Sequence, residues 1–362
     1  MSGELTPGAD NRPIRIAVDA MGGDHAPAAI VEGAAAAAAA FGIDVILTGP
    51  SGVLRPLLSA QLPAARDGSR PGQVRIVSSE DSLAMDEGAL ASLRRPRSSA
   101  AIACQLVRRG QAQAVVSAGS TGGTVATARL RLRSLPGVMR PGLAVVLPTR
   151  PTPTLLVDAG AIADPKPEML VAFAQLGVAY AQVGHGITEP KVGLLTIGAE
   201  PGKGNRLARR AHELLAQAPP HGARPIRFIG NVEGGDLLTR KADVIVTDGF
   251  TGNVALKVLE GTAAFAAAQT RAALTDSAPA RFGVLFQRRG LRELAGRMDA
   301  ETYGGAALLG LEGTVVIAHG AATAKGVTSA CRLATDLVRG QITEKIKERF
   351  GPGRGSHFLR RS

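Results

Sequence analysis

From residue 14 to about residue 319, short runs of β-branched residues alternate with longer stretches rich in alanine and leucine. The short runs end in aspartate, serine or glycine, and they have the length of buried strands. Parallel strands need a crossover between them, and the longer stretches are long enough to be its helices. The alternation therefore predicts an α/β fold in which helices cover both faces of a parallel-rich sheet.

The pattern assigns elements and one folding unit to most of the chain. Strands are predicted at 14–18, 45–47, 74–77, 114–116, 143–147, 155–157, 192–195, 227–229, 244–246 and 315–317. Helices are predicted at 27–41, 99–109, 121–132, 167–183, 206–217 and 253–274. We expect a single elaborated α/β domain over 14–349 that includes a helical hairpin at about 258–298, with flexible termini at 1–13 and 351–362.

Charge and composition limit the classes of partner. The formal net charge of +12 favours an acidic partner, although arginine scattered by compositional bias explains it equally well. Aromatic residues make up 3% of the chain and tryptophan is absent, which argues against a stacking platform for nucleic acid. Cys104 and Cys331 form no CxxC motif. We therefore predict neither a disulfide framework nor a metal site or cofactor, and we expect a reducing cytoplasm.

Polar residues cluster where the predicted strands end. Six loops share this feature, at 19–25, 117–123, 158–160, 197–205, 230–236 and 247–253. The carboxyl ends of parallel strands face the ligand crevice in open sheets, so we expect the six loops to converge on one cleft. Each loop taken alone fits helix capping and turn formation equally well. The set of six favours a shared site.

Two of these loops suit an anion. The glycines of loop 117–123 let backbone N–H groups approach a guest, and the helix that follows presents its positive end, so phosphate is the expected ligand. Lys203 stands between two glycines and adds a positive charge. Its loop differs from a P-loop, because the spacing is one residue short and Gly204 replaces the required serine or threonine. A nucleoside triphosphate is therefore not expected, and the chain also lacks a GxGxxG motif with a following acidic residue.

The mechanism predicted from these residues needs no covalent intermediate. The chain has no GxSxG motif, and neither cysteine lies in a polar loop. A phosphate dianion can itself attack a thioester if both substrates are held in line and the developing oxyanion is stabilised. His25 and Lys203 are the predicted charge donors. Asp158, Asp236 and Asp248 are predicted to orient those donors or to bind the amides of the substrate.

Several long segments resemble the phosphate acyltransferase (PlsX) family in order and spacing, over residues 14 to about 346. They are IAVDAMGGDHAP, VVSAGSTGG, LLVDAGA, VGLLTIGAEPGKGN, FIGNVEGGD, ADVIVTDGFTGNVALKVLEG and YGGAALLGLEGTVVIAHG. The resemblance implies a three-layer Rossmann-like fold similar to that of phosphotransacetylases and isocitrate dehydrogenases, and a homodimer. It also implies transfer of a fatty acyl group from acyl carrier protein to inorganic phosphate. The acyl phosphate would pass to a membrane glycerol-3-phosphate acyltransferase, so the reaction would be the first step of phosphatidic acid synthesis.

The residues and the resemblance together give the predicted site. The catalytic set is Lys203, His25, Asn231 and Asp236. The substrate-binding set is Asp19, Gly119, Ser120, Thr121, Gly122, Asp158, Asp248 and Asn253. The chain departs from the family pattern at Ser120, where the family usually has asparagine, at Gly123, where it has alanine, and at Gly235, where it has arginine.

The hairpin region has two possible functions. Phe282, Leu285 and Phe286 precede a cluster of arginines at Arg288, Arg289, Arg292 and Arg297. Apolar residues beside arginine suit peripheral insertion at an anionic membrane, and the same pattern suits a helical hairpin at a dimer interface. For the whole chain, the alternative functions are a phosphotransacetylase-like enzyme that uses acyl-coenzyme A and a non-catalytic phosphate- or acyl-binding regulator.

Overall fold

The computed structural model describes residues 13–61, 72–87, 89–217, 224–277 and 300–351, together with 284, 286–291, 293 and 296. The strands are β1 Arg15–Asp19, β2 Asp44–Gly49, β3 Val74–Ser78, β4 Ala114–Ser117, β5 Gly142–Leu147, β6 Thr154–Val157, β7 Lys191–Leu195, β8 Arg227–Val232, β9 Val244–Val246, β10 Ala306–Leu309 and β11 Thr314–Ile317. The main helices are α1 Ala28–Phe41, α2 Ser51–Gln61, α3 Ala89–Arg94, α4 Ser99–Arg108, α5 Thr121–Arg131, α6 Pro167–Gly184, α7 Arg206–Ala216, α8 Gly249–Thr275, α9 Ala324–Arg339 and α10 Ile342–Phe350. Short 3-10 helices occupy Gly234–Leu238 and Ala300–Tyr303.

The eleven strands found among the described residues form one sheet in the order β3-β2-β1-β4-β11-β10-β5-β6-β9-β7-β8. Three neighbouring pairs are antiparallel: β11 with β10, β10 with β5, and β5 with β6. The other pairs are parallel. The strands β3, β2, β1, β4 and β11 therefore run in one direction, and β6, β9, β7 and β8 run in the opposite direction.

This topology confirms the predicted fold class and separates the six polar loops into two groups. Each of the ten predicted strands is present. The eleventh, β10, falls in a stretch to which the sequence pattern assigns no element. Because the three antiparallel pairings reverse the chain direction, the loops after β1 and β4 lie at one edge of the sheet and those after β6, β7, β8 and β9 at the other. The six predicted loops therefore do not share one edge of the sheet, and their convergence on one cleft stays a prediction.

Alternate residues of the strands form two separate cores. One side, which we call the closed face, carries residues such as Val18 and Val157 and packs against α1, α2, α6, α7, α9 and α10. The other side, which we call the open face, carries residues such as Ala17 and Leu156 and packs against α4 and α5. Of α8, three residues near its start are partly buried against the open face. Helices thus lie on both faces of the sheet, with fewer on the open one.

Small residues bring the closed-face helices close together. The alanine run of α1 buries Ala34, Ala37 and Ala38, and the helix packs lengthwise on α9. A Cβ atom at Gly33 would collide with the carbonyl oxygen of Ala324 in α9. Small side chains therefore allow α1 and α9 to approach each other closely.

The predicted helices agree with the structure within two residues at their ends, except that α8 begins at Gly249 and not at 253, because Asp248 caps it. In the part of the chain that the structure describes, no helix is both long and apolar enough to span a bilayer. The predictions for residues 1–12 and 352–362, and for Phe282 and Leu285 in the hairpin, lie outside the described residues.

Candidate active site

The loops after β1 and β4 are tied together by a buried carboxylate. Asp19 is 3% exposed, accepts a hydrogen bond of 2.7 Å from the Ser117 hydroxyl, and accepts another of 3.3 Å from the Met21 N–H. Burial raises the pKa of Asp19, and hydrogen bonds from Ser99 and Ser117 act in the opposite direction. Both carboxylate oxygens thus have partners within the protein. Asp19, predicted to bind substrate, has a clear structural contact with the β4 loop.

Close backbone packing joins these two loops to a third, which follows β11. A Cβ atom at Gly22 would lie 2.7 Å from the Gly119 nitrogen, so the approach of the first two loops requires glycine. The Asp24 N–H donates a hydrogen bond of 2.8 Å to the Gly320 carbonyl in the third loop. His25 follows Asp24 and is exposed at this edge. We call the loops 19–25, 117–123 and 318–322 the cradle loops.

The start of α5 presents backbone N–H groups to the cradle. The Ser120 hydroxyl caps the helix by accepting from the Gly123 N–H at 3.3 Å, and it donates to the Glu87 carbonyl at 3.1 Å. Thr121 and Gly122 are exposed in the first turn. No acceptor in the described part of the chain is paired with their N–H groups, and they point from the positive end of a helix. Ser120 therefore shapes the cradle, and Thr121 and Gly122 offer the donors.

At the opposite edge, Asn231 holds the loop that carries Lys203. The Asn231 side chain is 4% exposed; its Oδ1 lies 2.8 Å from His212 Nδ1, and its Nδ2 donates to the Glu200 carbonyl at 2.7 Å. The Lys203 N–H donates to the same carbonyl at 3.0 Å. The Lys203 ammonium is 4.0 Å from a Glu200 carboxylate oxygen and half exposed. Asn231 thus positions the Lys203 loop, whereas the Lys203 ammonium remains accessible to a ligand.

Asp236 is engaged in local structure. It caps the 3-10 helix Gly234–Leu238 by accepting from the Glu233 N–H at 2.9 Å, and it pairs with the Lys241 ammonium at 2.8 Å. The backbone hydrogen bond from Glu233, and then Lys241, lower the pKa of Asp236. Its carboxylate therefore stays ionised, next to a positive charge of the protein itself.

Two further aspartates of the predicted site also accept hydrogen bonds from the protein backbone. Asp158 is fully buried, and its carboxylate accepts four backbone hydrogen bonds; the donors are Leu143 at 2.9 Å, Gly160 at 3.1 Å, Ala161 at 3.0 Å and Ile162 at 2.7 Å. Burial raises its pKa against the effect of these donors. Asp248 caps α8 by accepting from both the N–H and the hydroxyl of Thr251 at 2.8 Å. Asp158 therefore fixes the backbone between β6 and α6, and Asp248 fixes the start of α8.

A cavity of about 640 Å³ lies between α8 and the open face of the sheet. Its lining reaches both edges, because it includes Thr121 from the cradle loops and Ala159 and Asn253 from the opposite edge. The cavity, and not a common sheet edge, therefore relates the two groups of loops. Of the predicted site residues, Thr121 and Asn253 line it, whereas Lys203, His25, Asn231 and Asp236 are not part of its lining.

Sequence reasoning missed several polar residues of the cavity wall. His319 lines the cavity beside the cradle, and its Nδ1 accepts from the Ala321 N–H at 3.2 Å, so a neutral ring carries its proton on Nε2. Lys257 and Glu260 of α8 also line it and form an ion pair of 2.7 Å. His319 follows a predicted strand, as the predicted site residues do, and that position was the signal that could have identified it. The α8 pair lies inside a helix, where no loop marked it.

Comparison with known proteins places these features in a family. A family model described as "Fatty acid synthesis protein" matches residues 14–345. A phosphate acyltransferase of Thermobifida fusca is 62% identical over 335 residues, which cover 92% of this chain and 91% of the relative. One of Thermus thermophilus is 44% identical over 340 residues, which cover 93% and 98%. The chain belongs to the phosphate acyltransferase family.

The fold of this phosphate acyltransferase family member is also found in solved structures. A phosphotransacetylase from Streptococcus pyogenes superposes with a TM-score of 0.58 at 17% identity, over 92% of this chain and 95% of that one. A phosphotransacetylase from Staphylococcus aureus superposes with a TM-score of 0.55 at 16% identity, over 90% and 94%. At these identities the likeness concerns the fold. It agrees with the fold that the sequence resemblance implied.

Proposed function

We propose that the protein transfers a fatty acyl group from the thioester of acyl carrier protein to inorganic phosphate. The products are acyl phosphate and the free carrier thiol, and the reaction is the first step of phosphatidic acid and phospholipid synthesis. The observation that carries this proposal is the cavity under α8, which joins an apolar space to Thr121 at the positive end of α5. The substrates of the reaction need both features, because one is a hydrocarbon chain and the other an anion.

The proposed chemistry uses phosphate itself as the nucleophile. A phosphate oxygen attacks the thioester carbonyl carbon, the carbonyl oxygen becomes an oxyanion, and the C–S bond then breaks to release the thiolate, which takes up a proton. Hydrogen-bond donors at fixed positions accelerate such a step by stabilising the developing charge. The N–H groups of Thr121 and Gly122 and the Nε2–H of His319 are our proposed donors in the cradle. Lys203, exposed at the opposite edge, is proposed to attract the phosphate anion by its charge, and His25, exposed beside the cradle, is proposed to donate a hydrogen bond to it.

The test compares donors and requires phosphate. Thiol release from palmitoyl-acyl carrier protein and from palmitoyl-coenzyme A is followed with a chromogenic thiol reagent, with and without phosphate. We expect phosphate-dependent release from the carrier protein in clear preference to coenzyme A. A preference for coenzyme A would identify a phosphotransacetylase-like enzyme. Phosphate-independent binding without release from either donor would identify a non-catalytic regulator.

We also propose a cytoplasmic homodimer that contacts the membrane peripherally and delivers acyl phosphate to a membrane glycerol-3-phosphate acyltransferase. Phe286 is 77% exposed, and Arg288 and Arg289 beside it are exposed as well. On α8, Phe265 is 66% exposed and could pack against a second subunit. These features support both contacts, because apolar side chains in water favour burial in lipid or protein.

Flotation with anionic vesicles separates the two contacts. The variant Leu285→Glu with Phe286→Glu should lose salt-sensitive vesicle binding and keep its size on gel filtration. Dissociation of the variant into monomers would place the hairpin at the subunit interface. Undiminished vesicle binding would place the membrane contact elsewhere.

A further inference from the structure

One side of α8 forms a continuous wall of the cavity. The lining residues of this helix include Asn253, Leu256, Glu260, Ala263 and Ala267, which recur every three or four positions and therefore share one side. Between Asn253 and Ala267 the helix rises by about 21 Å. Val258 does not line the cavity and lies on the other side of the helix, 61% exposed. Substitutions on the cavity-lining side of α8 can therefore be compared with substitutions on its outer side.

The wall opposite α8 is the sheet itself. Leu143, Val145 and Leu147 alternate along β5 and point to the same side, and Ile317 of β11 continues this surface. The volume of about 640 Å³ falls in the range of ligand pockets, and most of the lining side chains are aliphatic. A cavity of this size and lining suits a flexible hydrocarbon ligand.

The polar residues of the cavity restrict what that ligand can be. Thr121 and His319 belong to the cradle loops, so the cavity opens onto the positive end of α5. Lys257 and Glu260 form an ion pair of 2.7 Å, and the carboxylate of Glu301, which also lines the cavity, accepts hydrogen bonds from the N–H and hydroxyl of Thr323. These charges are therefore engaged within the protein. The matching ligand is therefore an amphiphile, with an aliphatic chain along α8 and a polar head at the cradle.

We infer that the cavity holds the hydrocarbon tail of the acyl donor, and that the inner side of α8 sets the length of chain that the protein accepts. This inference rests on the proposed function, since it assigns part of the same substrate. Ala263 is the sharpest position to test, because it lines the cavity with a side chain of one carbon. A larger side chain there would fill space that a long acyl tail needs and a short tail does not.

The experiment compares Ala263→Phe with Val258→Phe, which adds a ring to the outer side of the same helix. For each protein, kcat/KM is measured with a series of acyl-carrier donors from octanoyl to stearoyl. Binding of the fluorescent fatty acid cis-parinaric acid is measured without phosphate or carrier. We expect Ala263→Phe to lower kcat/KM for the longest donors at least about tenfold relative to the shortest, since single methylenes in an apolar pocket change discrimination by that order. It should also weaken cis-parinaric acid binding, whereas Val258→Phe should match the wild type in both assays.

The outcomes separate this inference from the proposed function. Equal loss for all donors, or unchanged preference and unchanged cis-parinaric acid binding in a folded Ala263→Phe variant, would overturn the tail site while phosphate-dependent turnover by the wild type persists. If the wild type releases no thiol from any donor, the proposed function fails, and cis-parinaric acid binding still decides whether the cavity takes an acyl chain. If circular dichroism shows that Ala263→Phe is unfolded, Leu256→Ala decides. It enlarges the cavity and should shift preference towards longer donors, and an unchanged preference would contradict the inference.

Discussion

The two faces of the sheet differ in how completely helices cover them. The closed face contacts six helices and contains the largest fully buried side chains among the described residues, Tyr180 and Phe173. The open face is covered by α4 and α5 near one end, and a cavity remains between its central strands and α8. Close packing stabilises a fold but leaves no room for a ligand. One side of the sheet is therefore closely packed, whereas the other leaves space that a ligand could occupy.

The largest expected effect is on stability, at the closed face. Phe173 is fully buried in α6 and packs against Gly142 of β5, where an added Cβ atom would lie 2.9 Å from its ring. Phe173→Ala should lower the free energy of unfolding by about 3–5 kcal/mol, because it leaves a cavity in a closed core. Leu256→Ala at the open face should cost roughly 1 kcal/mol, since Leu256 is partly buried and already borders empty space. Denaturant titration measures both, and equal losses would remove the contrast between the faces.

The next effect is on activity, at the edge that carries Lys203. This side chain is 52% exposed, and Lys203→Ala should leave the fold intact while acyl phosphate formation falls ten- to a thousandfold, on the order of the loss of one oxyanion donor. The control is Lys347→Ala on α10, an exposed lysine paired with Glu344. Near-normal turnover of Lys203→Ala at saturating phosphate would restrict the chemistry to the cradle side of the cavity.

A smaller effect concerns the pH dependence of stability at the cradle. Burial raises the pKa of Asp19 above the ordinary 3.8, so the folded chain binds this proton more tightly than the unfolded chain does. The resulting stabilisation is complete below the unfolded pKa and is lost as pH rises through the folded pKa. Asp19→Asn removes this proton-linked contribution and should lose less stability than the wild type as the pH rises above 3.8. Parallel curves of unfolding midpoint against pH for the two proteins would contradict it.

The smallest effect is expected at the cap of α5. Ser120 caps the helix through the Gly123 N–H, and asparagine is an equally good capping residue. Ser120→Asn should therefore keep or slightly raise activity, with kcat/KM within about threefold of the wild type and an unchanged unfolding midpoint. Initial rates at varied phosphate test this. A collapse in activity would show that the hydrogen bond from Ser120 to the Glu87 carbonyl is essential to the cradle.

The sequence by itself determined the fold class, the ten predicted strands and the family, because these depend on local periodicity and on long matching segments. It also located the polar loops at strand ends. Those signals are local, and each is complete within a few neighbouring residues. These local signals do not identify the strand β10, because its sequence AALL has no alternation that distinguishes a strand from a helix.

The tertiary structure alone decided which polar residues meet and which are engaged elsewhere. The antiparallel pairing of β10 with β5 joins distant parts of the chain, and together with the β5–β6 and β10–β11 hairpins it places the predicted loops at opposite edges of the sheet. The partners of Asn231 and Asp158 likewise come from distant or folded-back backbone, which gave these side chains positioning contacts. The cavity exists because α8 covers the open face without filling it. Such features depend on how elements pack in three dimensions, and no local pattern of residues specifies that packing.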